Sequence, residues 1–246
     1  MVNIKLGDKV YDGVTSVKLD TKEGESVEFS PYEETFAAGK QAEYDKFWDN
    51  FQRNGTQNLY RYAFHGFGWN NTNFVPKYDI ILGTYSSGIF WCTHITDLVA
   101  ALELANVRLD TSGASYLDTG FAGSTLTRVP EVSLVNAVTY SSLFANSSSL
   151  TEIQKLILKD DGSQALGEIM SGCTSLKHIT IEGVIGGNSN LKSCPLTTES
   201  VQSVIDHLKD LTGSATQSIT FKADVGAALT QAQKAAITAK NWTLVY

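Results

Sequence analysis

In the run Cys92-Thr93-His94, two side chains able to ligate a metal stand two residues apart. On a strand such neighbours share a face, so a thiolate and an imidazole would point the same way. Structural zinc takes four protein ligands, however, and no second pair at ligand spacing follows. His65, His178 and His207 form neither H-x-x-x-H nor H-E-x-x-H. No metal and no cofactor is expected. There is no G-x-S-x-G elbow, P-loop or G-x-G-x-x-G, so activated-serine and phosphate-cradling chemistry have no carrier. Residues 184–190, VIGGNSN, are glycine-rich but lack the Lys and helix start of a phosphate site, and read as a turn. Asp160-Asp161-Gly162 reads as another turn. A glycan-directed hydrolase would need two carboxylates roughly 5 to 10 Å apart in a cleft. Its pair would come from Asp118, Glu131, Glu152 and Asp160, which the repeat described below places on different turns.

Aromatic side chains crowd residues 60–78: Tyr60, Tyr62, Phe64, Phe67, Trp69, Phe74 and Tyr78. One reading makes them the cap and core of the first turns of the fold. The other is an exposed surface for a glycan or protein partner, because Tyr and Trp supply rigid contact area. On that second reading Tyr62, His65, Phe67, Trp69, Asn70 and Asn71 form the binding patch, with His and Asn hydrogen-bonding to sugar hydroxyls.

The totals narrow the partners. A formal net charge of −7 over 246 residues, without a basic block, does not suit a nucleic-acid backbone or an anionic membrane surface. No apolar run approaches the roughly 18 to 20 residues of a membrane-spanning helix. The opening MVNIKLGDKVYDG has no apolar stretch of the secretory kind, so no signal peptide is expected. Three cysteines, Cys92, Cys173 and Cys194, are too few for a disulfide framework and read as reduced thiols in a core.

These residues would be positioned by a repeated unit. Phe144-Ala-Asn-Ser-Ser-Ser-Leu150-Thr-Glu-Ile153 matches Met170-Ser-Gly-Cys-Thr-Ser-Leu176-Lys-His-Ile179. Phe121-Ala-Gly-Ser-Thr-Leu126-Thr-Arg-Val129 and Phe90-Trp-Cys-Thr-His-Ile95-Thr-Asp-Leu98 fit with one residue fewer, and a weaker copy starts at Phe64. The anchors stand 26, 31, 23 and 26 residues apart. In this alignment Cys92 takes the small corner position. Such units cannot bury their apolar faces alone and must stack. The segments KLILK and HITIEG read as strands of a parallel sheet along one face. The long 31-residue interval holds DLVAALELANV, a helix with Leu98, Ala101, Leu102 and Ala105 on one side.

Both ends differ from the middle. Residues 1–37 alternate apolar and polar about Lys22-Glu23-Gly24, as a β-hairpin that is either a small module or an extension of the cap. Residues 38–58 place Tyr44, Phe47, Trp48 and Phe51 at helical spacing, an aromatic capping helix stopped at Asn54-Gly55. After the solenoid proper, residues 59–190, the segment 191–246 reads as helix, strand, helix, strand. Thr197 or Thr198 caps a helix running to Gly213, and Thr230 with Gln233 makes a capping box.

The units LFANSSSLTEIQKLIL and IMSGCTSLKHITIEG resemble the BspA-like branch of leucine-rich repeats, with its F-x-x-C-x-x-L corner before a strand. The wider layout resembles leucine-rich-repeat proteins encoded by phages and prophages of gut Firmicutes. The resemblance implies an α/β fold: a solenoid with a parallel sheet, irregular turns and helices on the convex side, and helical caps. It implies a non-enzymatic recognition or structural protein, in a virion or released by lysis, binding a protein or a host cell-surface glycan. Residues 1–37 would dock to other virion proteins. The alternatives are the hydrolase above and a secreted adhesin on a bacterial surface.

Overall fold

The computed structural model describes strands within residues 2–29, then Phe64, Phe74 and residues 76–246. The expected capping helix at 38–58 lies outside the described residues. At the start, β1 (Val2–Leu6) and β2 (Lys9–Val14) pair antiparallel, as do β3 (Val17–Asp20) and β4 (Ser26–Phe29). The second pair is the hairpin expected about Lys22-Glu23-Gly24; the first was not expected. Then come β5 (Ile80–Ile81), α1 (Leu98–Ala105), β6 (Leu109–Asp110), β7 (Arg128–Ser133), β8 (Glu152–Ile157), β9 (Gln164–Gly167), β10 (His178–Glu182), β11 (Ile185–Leu191), α2 (Thr198–Asp206), β12 (Gln217–Phe221), α3 (Ala223–Ala227), α4 (Gln231–Ala239) and β13 (Trp242–Val245). From β5 onward every strand pairing is parallel, and the fold is α/β.

Parallel pairing follows from the spacing of the apolar residues. Phe64, Phe90, Phe121 and Phe144 stack ring on ring, with centroids 4.9, 5.3 and 5.3 Å apart and planes within 17°. Each stacked pair is worth about 0.5–1.5 kcal/mol beyond the area it buries. Backbone bonds lock the column: Phe90 N–H donates to the Gly120 carbonyl, Phe121 to Leu143 and Phe144 to Ile169, at 2.7–2.8 Å. Met170 is buried in the same core. A second line of aliphatics, Val129, Ile153 and Ile179, stands in register on β7, β8 and β10. All three point inward.

The corner after each aromatic is built from two positions. The residue two after the anchor is left-handed: Cys92 (φ 51°), Gly123 (61°), Asn146 (61°) and Gly172 (78°). The residue three after it is small and buried: Thr93, Ser124, Ser147 and Cys173. Ser147 Oγ donates to the Phe121 carbonyl at 2.8 Å and Cys173 Sγ to the Phe144 carbonyl at 3.0 Å. The corner place expected for Cys92 therefore belongs to Thr93. Cys92 occupies the left-handed step, which turns its side chain away from the buried line.

Two other expectations are corrected. Residues 185–191 form strand β11 instead of a turn, held between β9 and β12. Its glycines answer a close approach: a Cβ on Gly186 would lie 1.6 Å from the Gly162 carbonyl oxygen. Helix α2, capped by the Thr197 hydroxyl, stops at Asp206 rather than reaching Gly213. Ile185 N–H donates to His207 O and Lys209 N–H returns to Ile185 O, so parallel pairing claims the backbone that would have continued the helix.

Candidate binding face

Strands β7, β8 and β10 form one sheet in that spatial order, its inner side facing the core and its outer side facing solvent. Helices stand where further strands would lie. Beside β7, Asp97 bridges to Arg128 in parallel register and its carboxylate accepts Ala100 N–H at 2.9 Å, starting α1. The long interval in the sequence is spent on this helix. Beside β10, the edge N–H groups of Ile179 and Ile181 donate to the Ser200 and Ser203 hydroxyls of α2, both at 2.9 Å. Hydroxyls on a helix thus satisfy donors that would otherwise invite another strand.

The outward side chains form charged rows across the strands. Register puts Arg128, Glu152 and His178 side by side, with Asp97 beyond Arg128. Arg128 Nε meets the Asp97 carboxylate at 2.8 Å. That bond, with Glu152 and Glu103 nearby, raises its already high pKa further. Glu199, on the first turn of α2, adds a carboxylate near His178; its own N–H and the Thr197 hydroxyl hold it below the usual range. In the next row Lys155 lies 3.1 Å from Glu182 and 3.4 Å from Glu131, and those partners push its pKa up. Arg108 is placed likewise, 3.3 Å from Asp79 and 3.9 Å from Asp110.

Three concavities open along this face. One of about 890 Å³ lies between α1 and the sheet, with Val99, Leu102 and Pro130 below and Glu103, Arg108 and Glu131 at its rim. A second, about 410 Å³, lies between β10 and α2 and is lined by Glu152, His178 and Glu199; Gln154 lines both. The third, also about 410 Å³, sits at the strands' carboxyl ends by Lys159, Asp160 and Asp161, and shares Ile157 with the first.

Of the residues singled out from sequence, Glu131 and Glu152 lie on this face and Asp160 lines its end. Asp118 lies elsewhere, on the corner side, where its carboxylate accepts from the Thr139 hydroxyl and, at 2.8 Å, from the Ser141 N–H and hydroxyl. Burial pushes its pKa up, but these bonds together outweigh that and hold it below the usual carboxylate range. Tyr62, His65, Phe67, Trp69, Asn70 and Asn71 lie outside the described residues. Phe64 and Phe74 from the same cluster are core residues, edge to face at 5.7 Å. Cys92 and His94 are both half-buried. Among the described residues no three His, Cys, Asp or Glu side chains gather as metal ligands, and no helix is long and apolar enough to cross a membrane.

Sequence reasoning missed Arg128, Lys155, His178 and Glu199 as members of one surface. A signal was present: Arg128, Glu152 and His178 each directly precede the second aliphatic of their unit. Compared with known proteins, the chain matches no family model, no curated protein and no solved structure.

Proposed function

We propose that this chain is a leucine-rich-repeat solenoid of the BspA-like kind, a non-enzymatic recognition module whose outer sheet face binds a macromolecular partner. The observation that carries the reading is the phenylalanine column, whose members recur every 23 to 31 residues and stack with parallel backbone bonds between neighbours. Such stacking gives an extended surface whose side chains vary freely while the core stays constant. The setting that fits the sequence resemblance is a phage or prophage product, virion-associated or released on lysis; a secreted bacterial adhesin is the alternative.

The carboxylates favour binding over hydrolysis. A general acid needs a raised pKa, whereas Asp118 is held low by its hydroxyl partners and sits apart from Glu131 and Glu152. Glu131 is ion-paired to Lys155.

A screen of the purified chain against virion proteins and host cell-surface glycans tests the proposal. Binding is expected, and Gln154→Trp, an exposed position where the first two concavities meet, should block the face and weaken it at least tenfold with the fold intact. Retained binding by Gln154→Trp but loss in Trp69→Ala would move the site to the aromatic patch at residues 62–71. Hydrolysis of a glycan in the same screen would overturn the non-enzymatic reading.

A further inference from the structure

We infer that the face of β7, β8 and β10, between α1 and α2, docks an extended protein segment rich in lysine and arginine. The inference rests on the recognition reading above and names the partner's chemistry.

Each basic side chain along the face has two carboxylates beside it, all but Asp110 from neighbouring turns: Arg108 has Asp79 and Asp110, Arg128 has Asp97 and Glu152, Lys155 has Glu131 and Glu182. Every row so built carries one negative charge in excess. Glu103 and Glu199 add theirs at the two helices, while at the strand ends Asp160 and Asp161 are matched by Lys159 and Lys209. The face thus holds ten carboxylates against five basic groups. Its excess of five accounts for most of the chain's net charge of −7. The rows also fix position: a cation entering the groove finds carboxylates already held by Arg or Lys, with little side-chain freedom left to lose.

The shape suits a chain in extended conformation. The concavity beside α1 and the one beside α2 meet at Gln154, so the groove crosses the sheet from α1 to α2. Strands spaced about 4.8 Å apart, with a helix on each side, give a crossing of roughly 20–25 Å, or about seven extended residues. Val99, Leu102 and Pro130 offer an apolar floor on the α1 side. Basic residues at alternate positions would meet the carboxylates while the residues between them rest on that floor. An anionic glycan or a phosphate backbone would be repelled.

The test measures binding of a labelled twelve-residue peptide, with lysine alternating with serine and leucine, by anisotropy. The wild-type chain is expected to bind it, at least tenfold more weakly at 300 mM than at 50 mM salt. Glu131→Gln with Glu182→Gln turns the Lys155 row from net −1 to net +1 and should cost at least a further tenfold. Asp210→Asn with Asp224→Asn removes the same charge from positions that line none of these concavities, and should change binding less than twofold. Equal loss in both double variants would reduce the effect to bulk charge and overturn the inference. So would equal binding of a glutamate counterpart, or no binding. If the lysine peptide fails while a neutral glycan or uncharged protein binds in a manner sensitive to Gln154→Trp, the recognition reading survives and this inference does not. If nothing binds at all, both fall.

Discussion

Ser147 shows how one buried hydroxyl joins two turns of the chain. It is fully buried, donates to the Phe121 carbonyl and lies 3.2 Å from the Ser124 hydroxyl. Cys173 makes the equivalent bond one turn later, to Phe144. The site therefore asks for a small donor rather than for serine. Ser147→Cys should cost under about 1 kcal/mol in urea unfolding, whereas Ser147→Val, which removes the donor and adds a methyl, should cost about 2 kcal/mol or more. Equal costs would show that the bond is incidental. Burial pushes the Cys173 and Cys194 thiols up to about 12, so they serve as weak donors and not as nucleophiles. Asp118 works on the opposite principle, as a charged acceptor tying Thr139 and Ser141 to its own turn. Its folded pKa lies below the unfolded value near 3.8. Its stabilisation is thus present above that value and lost as pH falls through the folded one. Asp118→Ala should be less stable than wild type by about 1 kcal/mol at pH 7, with the gap closing below pH 4. A gap that stays constant to pH 2 would remove the carboxylate from this account.

Strand β11 is the element whose sequence least resembles its structure. Gly186 and Gly187 are poor strand formers, yet they sit between β9 and β12 because the turn at Gly162 crosses too close for any side chain. Gly186→Ala should therefore destabilise the chain by about 3 kcal/mol or more, far beyond the usual effect of a surface alanine. A neutral result by thermal unfolding would mean that the approach of residue 162 is not maintained. Elements with strong local chemistry were legible in the sequence. Helix α1 follows from its leucine and alanine spacing, and α4 from the Thr230–Gln233 capping box. Strands β12 and β13 follow from their apolar runs. What was not legible depended on partners distant in the chain. The end of α2 was set by Ile185, the strand state of 185–191 by Gly162 and the corner role of Thr93 by a left-handed Cys92. The charged outer face of the sheet fell between these cases. Its residues were readable one by one, but their grouping into rows needed the register of three strands.

At the scale of the molecule, the described core from Phe64 to Trp242 is one cluster that joins the phenylalanine column to the C-terminal strands. Leu191 carries the line onward: it is buried and pairs in register with Phe221 of β12. Removing a ring from the middle should therefore be felt at both ends. Trp91 stands at the second ring of the column and Trp242 in the last strand, its indole N–H donating to the Lys209 carbonyl at 2.8 Å. Variants retaining only one of these tryptophans would report urea unfolding from either end. Their midpoints should coincide. Phe121→Ala, costing about 3–5 kcal/mol for the cavity and the lost stacking, should lower both midpoints equally. Nearest-neighbour coupling with weak interfaces predicts otherwise: the Trp91 transition would move and the Trp242 transition would stay, because turns beyond the lesion could stand on their own. The continuous burial from Ile153 through Ile179 to the inner face of α2, where Val201, Val204 and Ile205 lie, favours the single transition. Two separated midpoints would divide the chain into units that fold independently, and the proposed binding face, which reaches from α1 to α2, would then span more than one of them.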